Sequence, residues 1–303
     1  MAILISIVGP TGVGKTSLSI TLAKRYGSPI LSCDARQVYT GMDIGTAKIT
    51  VVEREDIPHH FIDILPVDQP FTVGQFEQKA EDLLADLFKH QPVVIAVGGS
   101  TLYFHTLWYG IDEIPEVKPA VREALRREWE VSGLTPLLTE LQEADPLTYE
   151  TIDRNNHVRV LRALEVFRSS DQPISAFRTQ SEKESTYQHI KIGLKMDREL
   201  LYKRINNRVD QMLEAGLVME VEQLLQAGYN LEHQAMRTIG YQEIVHYLQG
   251  DYPLEEAIRL IKRNSRRYAK RQMTFYRRYK DILWFEADET SSILSKIAQQ
   301  IEA

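Results

Sequence analysis

Cysteine is almost absent from this chain, whose 303 residues include a single cysteine, Cys33. A single cysteine excludes an internal disulfide and any zinc site built on a cysteine cluster. Long apolar runs are missing too, since none approaches the roughly 18 residues that a membrane span needs. No basic-then-apolar signal pattern stands at the N-terminus, where residues 3–8 already have the composition of a strand. The sequence therefore predicts a cytoplasmic protein that does not enter a membrane.

Acidic residues are missing from one segment of a chain whose net charge is −6. Residues 259–280 contain no aspartate or glutamate, and Tyr268, Phe275, Tyr276 and Tyr279 stand among the basic residues. The basic residues of this segment are Arg259, Lys262, Arg263, Arg266, Arg267, Lys270, Arg271, Arg277, Arg278 and Lys280. Such a segment is typical of a surface that binds a polyanion. The alternative is a solvated helix face that is balanced by acids elsewhere in the fold.

Strands and helices alternate through the first third of the sequence. Apolar runs at residues 3–8, 29–33 and 93–97 predict buried strands, and residues 61–65 predict a further short one. Helical spacing of apolar residues follows at 15–26, 72–89 and 102–109. This alternation predicts an α/β fold, with a P-loop-type parallel sheet flanked by helices.

The pattern changes after residue 114, and strand signals are missing from 115 to 171. Helices are predicted there instead, at 120–131, 136–143 and 158–167, before a strand at 189–194 returns the chain to the sheet. Further helices are predicted at 200–214, 217–227, 242–248 and 253–279, and a last strand at 282–285 precedes a closing helix. We therefore expect a catalytic core from 1–114 and 189–303, with basic C-terminal helices, and an all-helical inserted domain at 115–188.

A glycine-rich turn follows the first predicted strand and fits the complete P-loop template. Its residues are Gly9, Pro10, Thr11, Gly12, Val13, Gly14, Lys15 and Thr16. The glycines let backbone amides point inward, the helix N-terminus adds positive potential, Lys15 adds a charge, and the Thr16 hydroxyl can bind Mg²⁺. The motif and its position between a strand and a helix predict a phosphate-binding site.

The motif alone does not specify ATP. A nucleotide hydrolase adds an apolar strand that ends in an aspartate near the metal. Here the strand at 93–97 is followed by Gly98, Gly99 and Ser100. This absence argues against a hydrolase or motor and favours an enzyme in which a phosphate group leaves with its charge stabilised.

Asp34 follows the second predicted strand, at the sheet edge where ligands bind in open α/β folds. It is a candidate general base that would face Lys15, or else a cap for the turn at 35–38. The glycine-punctuated loop at 41–48 is interpreted as structural. His59 and His60 have no partners at metal-ligand spacing and are interpreted as loop or core residues.

The chain resembles the tRNA dimethylallyltransferases, also called tRNA isopentenyltransferases, over nearly its whole length. The matching segments are Gly9–Thr16, Ser32–Asp34, Gln37–Tyr39, Gly41–Lys48, Pro58–Asp63, Val97–Ser100 with Tyr103, Arg162–Val166, Arg204–Asp210, Ile239–Glu243 and Arg267–Gln272. The P-loop is widely shared, whereas the segments at 42–48 and 268–272 are specific to this family.

The resemblance implies transfer of a dimethylallyl group from dimethylallyl diphosphate to N6 of the adenosine 3′ of the anticodon, position 37, in tRNAs that read codons starting with U. It implies that Gly9–Thr16 and Arg208 bind the diphosphate, with Mg²⁺ as cofactor at Thr16, and that Asp34 accepts the N6 proton. Lys15, Ser100 and Arg208 complete the implied catalytic set. The implied tRNA contacts are Asp34, Ala35, Arg36, Gln37, Thr101, Arg122, Val158, Arg159, Val160, Leu161 and Arg162. A monomer is expected.

Three positions leave alternatives open. Family members commonly have serine after the aspartate, whereas this chain has Ala35 and Arg36. Ser100 replaces the usual threonine, and Thr101 is the alternative source of that hydroxyl. Arg208 is otherwise a surface arginine paired with a nearby residue such as Asp210.

Three other functions compete with this interpretation. They are a small-molecule kinase that uses ATP, a non-catalytic RNA-binding protein with a vestigial loop, and an enzyme that prenylates free adenine nucleotides. Intact Lys15, Thr16 and Asp34 argue against decay of the site. The predicted helical insertion and basic C-terminal helix favour a polymeric acceptor over a mononucleotide.

Overall fold

The computed structural model describes residues 2–178 and 185–302. A parallel six-stranded sheet lies at its centre in the order β3-β2-β4-β1-β5-β6. The strands are β1 (Ile3–Val8), β2 (Ile30–Ser32), β3 (His59–His60), β4 (Val93–Val97), β5 (Gln188–Lys195) and β6 (Leu283–Glu286). Every residue of β1 is buried, including Ser6, as its largely apolar sequence predicts for a central parallel strand. All strands therefore present their carboxyl ends at one edge of the sheet.

Twelve α-helices accompany the sheet in the described part of the chain. They are α1 (Lys15–Tyr26), α2 (Val73–Leu87), α3 (Thr101–Tyr109), α4 (Pro119–Ser132), α5 (Thr135–Ala144), α6 (Pro146–Thr151), α7 (His157–Ser170), α8 (Arg198–Glu214), α9 (Leu217–Gln226), α10 (Tyr241–Leu248), α11 (Leu254–Tyr276) and α12 (Thr290–Glu302). Several begin at side chains that accept the first backbone amides, such as Thr72 before α2 and Asp197 before α8. Among the described residues, no helix combines the length and apolar character that crossing a bilayer requires.

The chain divides into two compact units. The sheet unit comprises Met1–Trp108 and Glu184–Ala303, and the helical unit comprises Tyr109–Lys183. In the helical unit, α4, α5 and α7 bury a core that includes Leu125, Leu141 and Leu164. Arg168 joins the same three helices through ion pairs with Glu128 and Glu140. Residues 179–184 of the predicted insertion lie outside the described residues.

The strand predicted at residues 61–65 is wrong. Phe61 and Asp63 have backbone φ angles of 62° and 56°, which a strand does not accommodate. The partner of β2 is β3, which ends at His60, and Leu65 makes only an isolated bridge to Tyr39. The apolar side chains at 61 and 62 are buried nonetheless, so the apolar run reflects burial of a bent segment.

Candidate active site

The phosphate-binding loop connects β1 to α1, as the sequence predicts. Gly9 lies so close to β5 that a methyl group on its Cα would come within 2.5 Å of the Leu194 carbonyl oxygen, and its φ is 144°. Only glycine fits there. The Lys15 ammonium group turns back onto the loop and donates to the carbonyl oxygens of Gly9 at 3.0 Å and Pro10 at 2.9 Å. The loop is therefore preformed around its own lysine.

Two cations face the cleft at this loop. Burial and, to a smaller extent, the charge of Arg208 lower the pKa of Lys15 to about 7, and Asp34 opposes the shift. Burial likewise lowers the pKa of Arg208, against the effect of Asp34. The Arg208 guanidinium donates to the Thr11 hydroxyl at 3.4 Å and to the Ala47 carbonyl oxygen at 3.5 Å. Burial lowers the pKa of both groups, and the charge of Arg208 also lowers that of Lys15, so a bound anion would stabilise their charged forms.

Asp34 shares the cleft with these cations. The cleft has a volume of about 510 Å³, and Lys15, Thr16, Asp34 and Arg208 are among its lining residues. One carboxylate oxygen of Asp34 accepts from the backbone amide of Arg36 at 2.9 Å. Asp34 therefore both caps the turn and lines the cleft. The two roles are compatible, because a carboxylate has a second oxygen left for a ligand.

Ser100 reaches the same wall from the end of β4. Its hydroxyl accepts from the Ala35 backbone amide at 2.8 Å, which fixes it next to Asp34. An adjoining cavity of about 290 Å³ is lined by Ser100, Asp34, Arg208 and apolar side chains such as Ile205. Thr101, the alternative hydroxyl, is the first residue of α3.

Gln272 and Tyr268 belong to the site although the sequence assigned them no role in it. The Gln272 side chain accepts from the Thr11 backbone amide and donates to the Gly99 carbonyl oxygen, both at 2.8 Å. Tyr268 donates to the same oxygen at 3.1 Å, and burial, with a contribution from Asp34, raises its pKa to about 12. Their i, i+4 spacing within the segment 268–272 could have indicated a shared role, because it places both on one face of α11.

The loop at 41–48 forms a further wall of the cleft. Thr46 and Ala47 line it, and the Glu220 carboxylate on α9 holds the preceding turn. It accepts from the backbone amides of Asp43 at 3.0 Å, Ile44 at 2.7 Å and Gly45 at 3.2 Å. The loop is structural, as interpreted from the sequence, and it also helps to hold the site, because the Ala47 carbonyl oxygen accepts from Arg208.

The segment after Asp34 also reaches the cavities. Gln37 lines the cleft that contains the phosphate loop. Ala35 and Arg36 line the adjoining cavity. The short turn at 35–38 therefore brings three of the residues implied in tRNA contact next to the candidate base.

Apart from Thr101, which begins α3 in the sheet unit, the other implied tRNA contacts lie in the helical unit. Val158 and Arg159 are exposed at the start of α7, and Arg122 on α4 is exposed as well. Arg122 and Arg162 pair with the same carboxylate, that of Glu165. In contrast, Val160 is completely buried in the helical core, and Leu161 packs against that core. The side chain of Val160 therefore adds nothing to the surface of this unit.

The basic segment 259–280 lies mainly on α11. Lys262 pairs with Asp210, and Arg259 pairs with Glu256. The exposed basic residues of the segment are Arg259, Arg267, Lys270, Arg271, Arg277, Arg278 and Lys280. Some cations of the segment are thus balanced by acids, while a positively charged face remains exposed.

No cluster of three or more acidic, histidine or cysteine residues that could hold a metal ion occurs among residues 2–178 and 185–302. His59 and His60 form β3 and are half-buried, and burial lowers the pKa of both. The Thr16 hydroxyl, in contrast, lines the phosphate cleft. A Mg²⁺ ion brought by a diphosphate fits this arrangement, since it retains waters and needs only one or two protein ligands.

The fold and the site together define a P-loop enzyme in which two cations, an acid and a hydroxyl share one cleft. The family model described as IPP transferase matches residues 37–279. The tRNA dimethylallyltransferase 2 of Parabacteroides distasonis is 43% identical over 98% of this chain and 99% of its own length. The tRNA dimethylallyltransferase of Cytophaga hutchinsonii is 44% identical over 98% and 97%.

Solved structures agree with these sequence relatives. The tRNA isopentenylpyrophosphate transferase of Bacillus halodurans superposes with a TM-score of 0.74 at 38% identity, covering 100% of this chain and 97% of that one. A eukaryotic dimethylallyltransferase acting on tRNA gives a TM-score of 0.82 at 26% identity, over 99% of this chain and 78% of that one. The chain belongs to the IPP transferase family.

Proposed function

We propose that this enzyme transfers a dimethylallyl group from dimethylallyl diphosphate to N6 of adenosine 37, 3′ of the anticodon, in tRNAs that read codons starting with U. The observation that carries the proposal is the common cleft of Lys15, Arg208 and Asp34. A leaving anion and an acceptor amine need opposite charges at neighbouring positions, and this cleft provides them. Membership in the IPP transferase family supports the same reaction.

The reaction requires a bond from N6 to the prenyl carbon to form while the bond from that carbon to the diphosphate oxygen breaks. The leaving diphosphate carries the charge away, and amides of the phosphate loop, Lys15 and Arg208 stabilise it. Adenine N6 is a weak nucleophile because its lone pair is delocalised into the ring. Asp34 takes the N6 proton as the new bond forms, a general-base contribution of about 10²–10⁴ in rate. In this proposal the Ser100 hydroxyl donates to the oxygens of the prenyl donor, and its bond from the Ala35 amide supports that role because it leaves the hydroxyl hydrogen available.

Mg²⁺ is the cofactor that the phosphate loop favours. Thr16 would bind it through its hydroxyl, together with diphosphate oxygens and water. When bound, the ion neutralises charge on the leaving group. Gly9–Gly14 and Lys15 bind the rest of the diphosphate in this proposal.

The proposed acceptor is the anticodon stem-loop of a tRNA. Arg122, Arg159 and Arg162 of the helical unit, with the backbone near Val158–Leu161, bind one part of it. Asp34–Gln37 and Thr101 contact nucleotides next to the target base. Extruding that base costs roughly a few kcal/mol. Contacts between exposed cations of the enzyme and the RNA backbone offset this cost. We propose that the enzyme acts as a cytoplasmic monomer.

Labelled dimethylallyl diphosphate with Mg²⁺ and either unmodified tRNA or AMP tests the proposal. We expect label at N6 of adenosine 37 of tRNA and none on AMP, measured by nuclease digestion and mass spectrometry. Label on AMP would favour prenylation of free nucleotides. Calorimetry with ATP should show no competition with dimethylallyl diphosphate, and tight ATP binding without prenyl transfer would overturn the proposal in favour of a kinase.

A further inference from the structure

The buried amide group of Gln272 joins two walls of the cleft. Its side chain is 1% exposed, and it extends from α11 between the phosphate loop and the segment after β4. The carbonyl oxygen accepts from the Thr11 amide at 2.8 Å, and the nitrogen donates to the Gly99 carbonyl oxygen at 2.8 Å. Gln272 thus contacts residues 261 and 173 positions away in the sequence.

The two partners fix the chemistry that this position needs. A backbone amide only donates and a backbone carbonyl only accepts, so the bridging group must do both within one planar end. Glutamine fits, whereas an ionised carboxylate would face the Gly99 oxygen with no hydrogen to share. The space is tight as well, since a methyl group on Gly99 would lie 2.7 Å from the Gln272 nitrogen.

Each partner of Gln272 is one residue or one contact away from a group with an assigned role. Thr11 accepts from Arg208 through its hydroxyl, on the side of the diphosphate. Gly99 precedes Ser100, whose hydroxyl is bonded to the amide of Ala35, the neighbour of Asp34. Through its two hydrogen bonds Gln272 therefore joins the wall that contains Thr11 to the wall that contains Ser100 and Asp34.

We propose that Gln272 is a positioning residue that sets the separation between the bound diphosphate and Asp34. This inference rests on the proposed prenyl transfer, because the two walls must be held at the distance that one carbon bridges as it passes from oxygen to nitrogen. Reacting groups displaced by about 1 Å lose up to about a hundredfold in rate. The effect is expected in kcat, because both of these hydrogen bonds of Gln272 go to backbone atoms of the protein.

Two variants of nearly equal size test this role in the full-length enzyme. Q272M removes both hydrogen bonds, and Q272E exchanges the donor for a carboxylate oxygen. We expect each to lower kcat about ten- to a hundredfold, with KM for dimethylallyl diphosphate little changed. I293V, in the core of α12 and fully buried, serves as the control for a loss of thermal stability that does not reach the site. An equal loss of kcat in I293V at equal loss of Tm would overturn the role.

A pH profile separates positioning from simple packing. Protonation of the carboxyl group in Q272E restores a donor toward Gly99, so the ratio of kcat in Q272E to kcat in the wild type should rise as pH falls. The ratio removes pH effects that are common to both proteins. The same ratio for Q272M should stay flat, and a flat ratio for Q272E would contradict the inference.

Hydrogen exchange tests the bridge without reference to the reaction. The Thr11 amide should exchange faster in Q272M than in the wild type, while the core amides of β1 keep their rates. Unchanged exchange at Thr11 would overturn the proposal for Gln272. A wild-type enzyme that fails to prenylate tRNA would overturn the proposed function instead, and the exchange result would still decide whether Gln272 holds the phosphate loop.

Discussion

Asp34 has two roles, because one of its carboxylate oxygens caps the turn at Arg36 and the residue also lines the cleft. Asparagine keeps the size and one oxygen but cannot take a proton. We expect D34N to lower single-turnover prenyl transfer about 10²- to 10⁴-fold, with tRNA affinity little changed in a filter-binding assay. D68N, at an exposed aspartate, should transfer at the wild-type rate. Transfer by D34N near that rate would show that another group accepts the proton.

Lys15 should make diphosphate binding depend on pH. Its pKa of about 7 in the free enzyme is low because of burial and Arg208, and a bound diphosphate must raise it. Above pH 7 binding therefore requires uptake of a proton, and affinity should fall as pH rises, by at most about tenfold per pH unit. Calorimetry in buffers of different ionisation enthalpy measures the proton uptake directly.

The diphosphate itself gains negative charge as pH rises, which opposes the fall in affinity. A comparison with a variant that keeps its charge is therefore needed. K15R retains its charge throughout and should lack the decline in affinity. Parallel pH profiles for K15R and the wild type would show that Lys15 stays protonated in the free enzyme.

The site residues divide into those that local sequence predicts and those that it does not. Spacing of glycine, lysine and threonine after an apolar strand places Lys15 and Thr16, and the sheet-edge rule places Asp34. Gln272 and Glu220 act on backbone atoms of remote loops. Backbone amides are present at every residue, so no pairing of residue types marks such contacts in advance.

The exposed cations of α11 make the helix a candidate for RNA binding at the level of a whole element. R267A combined with K270A should weaken tRNA binding and reduce the slope of log affinity against log salt by about one per lost phosphate contact. The KM for dimethylallyl diphosphate should not change. R259A, exposed on the same helix but paired with Glu256, is the matched control. An unchanged salt slope in the double variant would leave α11 as a solvated face only.

The loop at 41–48 depends on one side chain from α9. In E220Q an NH₂ group replaces an oxygen that accepts from backbone amides or from the Tyr241 hydroxyl. An unsatisfied buried donor costs about 1–3 kcal/mol, so Tm should fall, and KM for the diphosphate should rise as Ala47 shifts from Arg208. E222Q, exposed two residues later on the same helix, should match the wild type. Equal Tm and KM in E220Q would contradict this role.

The sequence predicted whole elements correctly where the buried residues also have a regular backbone conformation. The largely apolar run of β1 and the helical spacing of α1 predicted both elements with the observed bounds. At residues 61–65 burial occurs on a bent backbone, with φ of 62° at Phe61. Hydrophobicity reports burial and not dihedral angles, so the sequence could not separate these cases.

The two units should respond separately to mutation. L164A empties part of the helical core, where Leu164 is fully buried, at a cost of about 2–5 kcal/mol. We expect loss of transfer to tRNA at temperatures where that unit unfolds, while calorimetry still detects dimethylallyl diphosphate binding. L147A, at a leucine that is 63% exposed, should leave both unchanged. Simultaneous loss of diphosphate binding in L164A would show that the units unfold together.

The strand order has a consequence for synthesis on the ribosome. β1 emerges first, yet its neighbour β5 pairs with it through Ile3↔Gln188 to Val8↔Gly193 and is translated only after the helical unit. Domains generally fold in the order in which they emerge, so the contiguous helical unit can form while the nascent sheet still lacks half of its central pairing. Because Gln272 emerges later still, its hydrogen bond to the phosphate loop can form only after α11 has been translated, and a chain truncated before α11 would carry the motif without that contact.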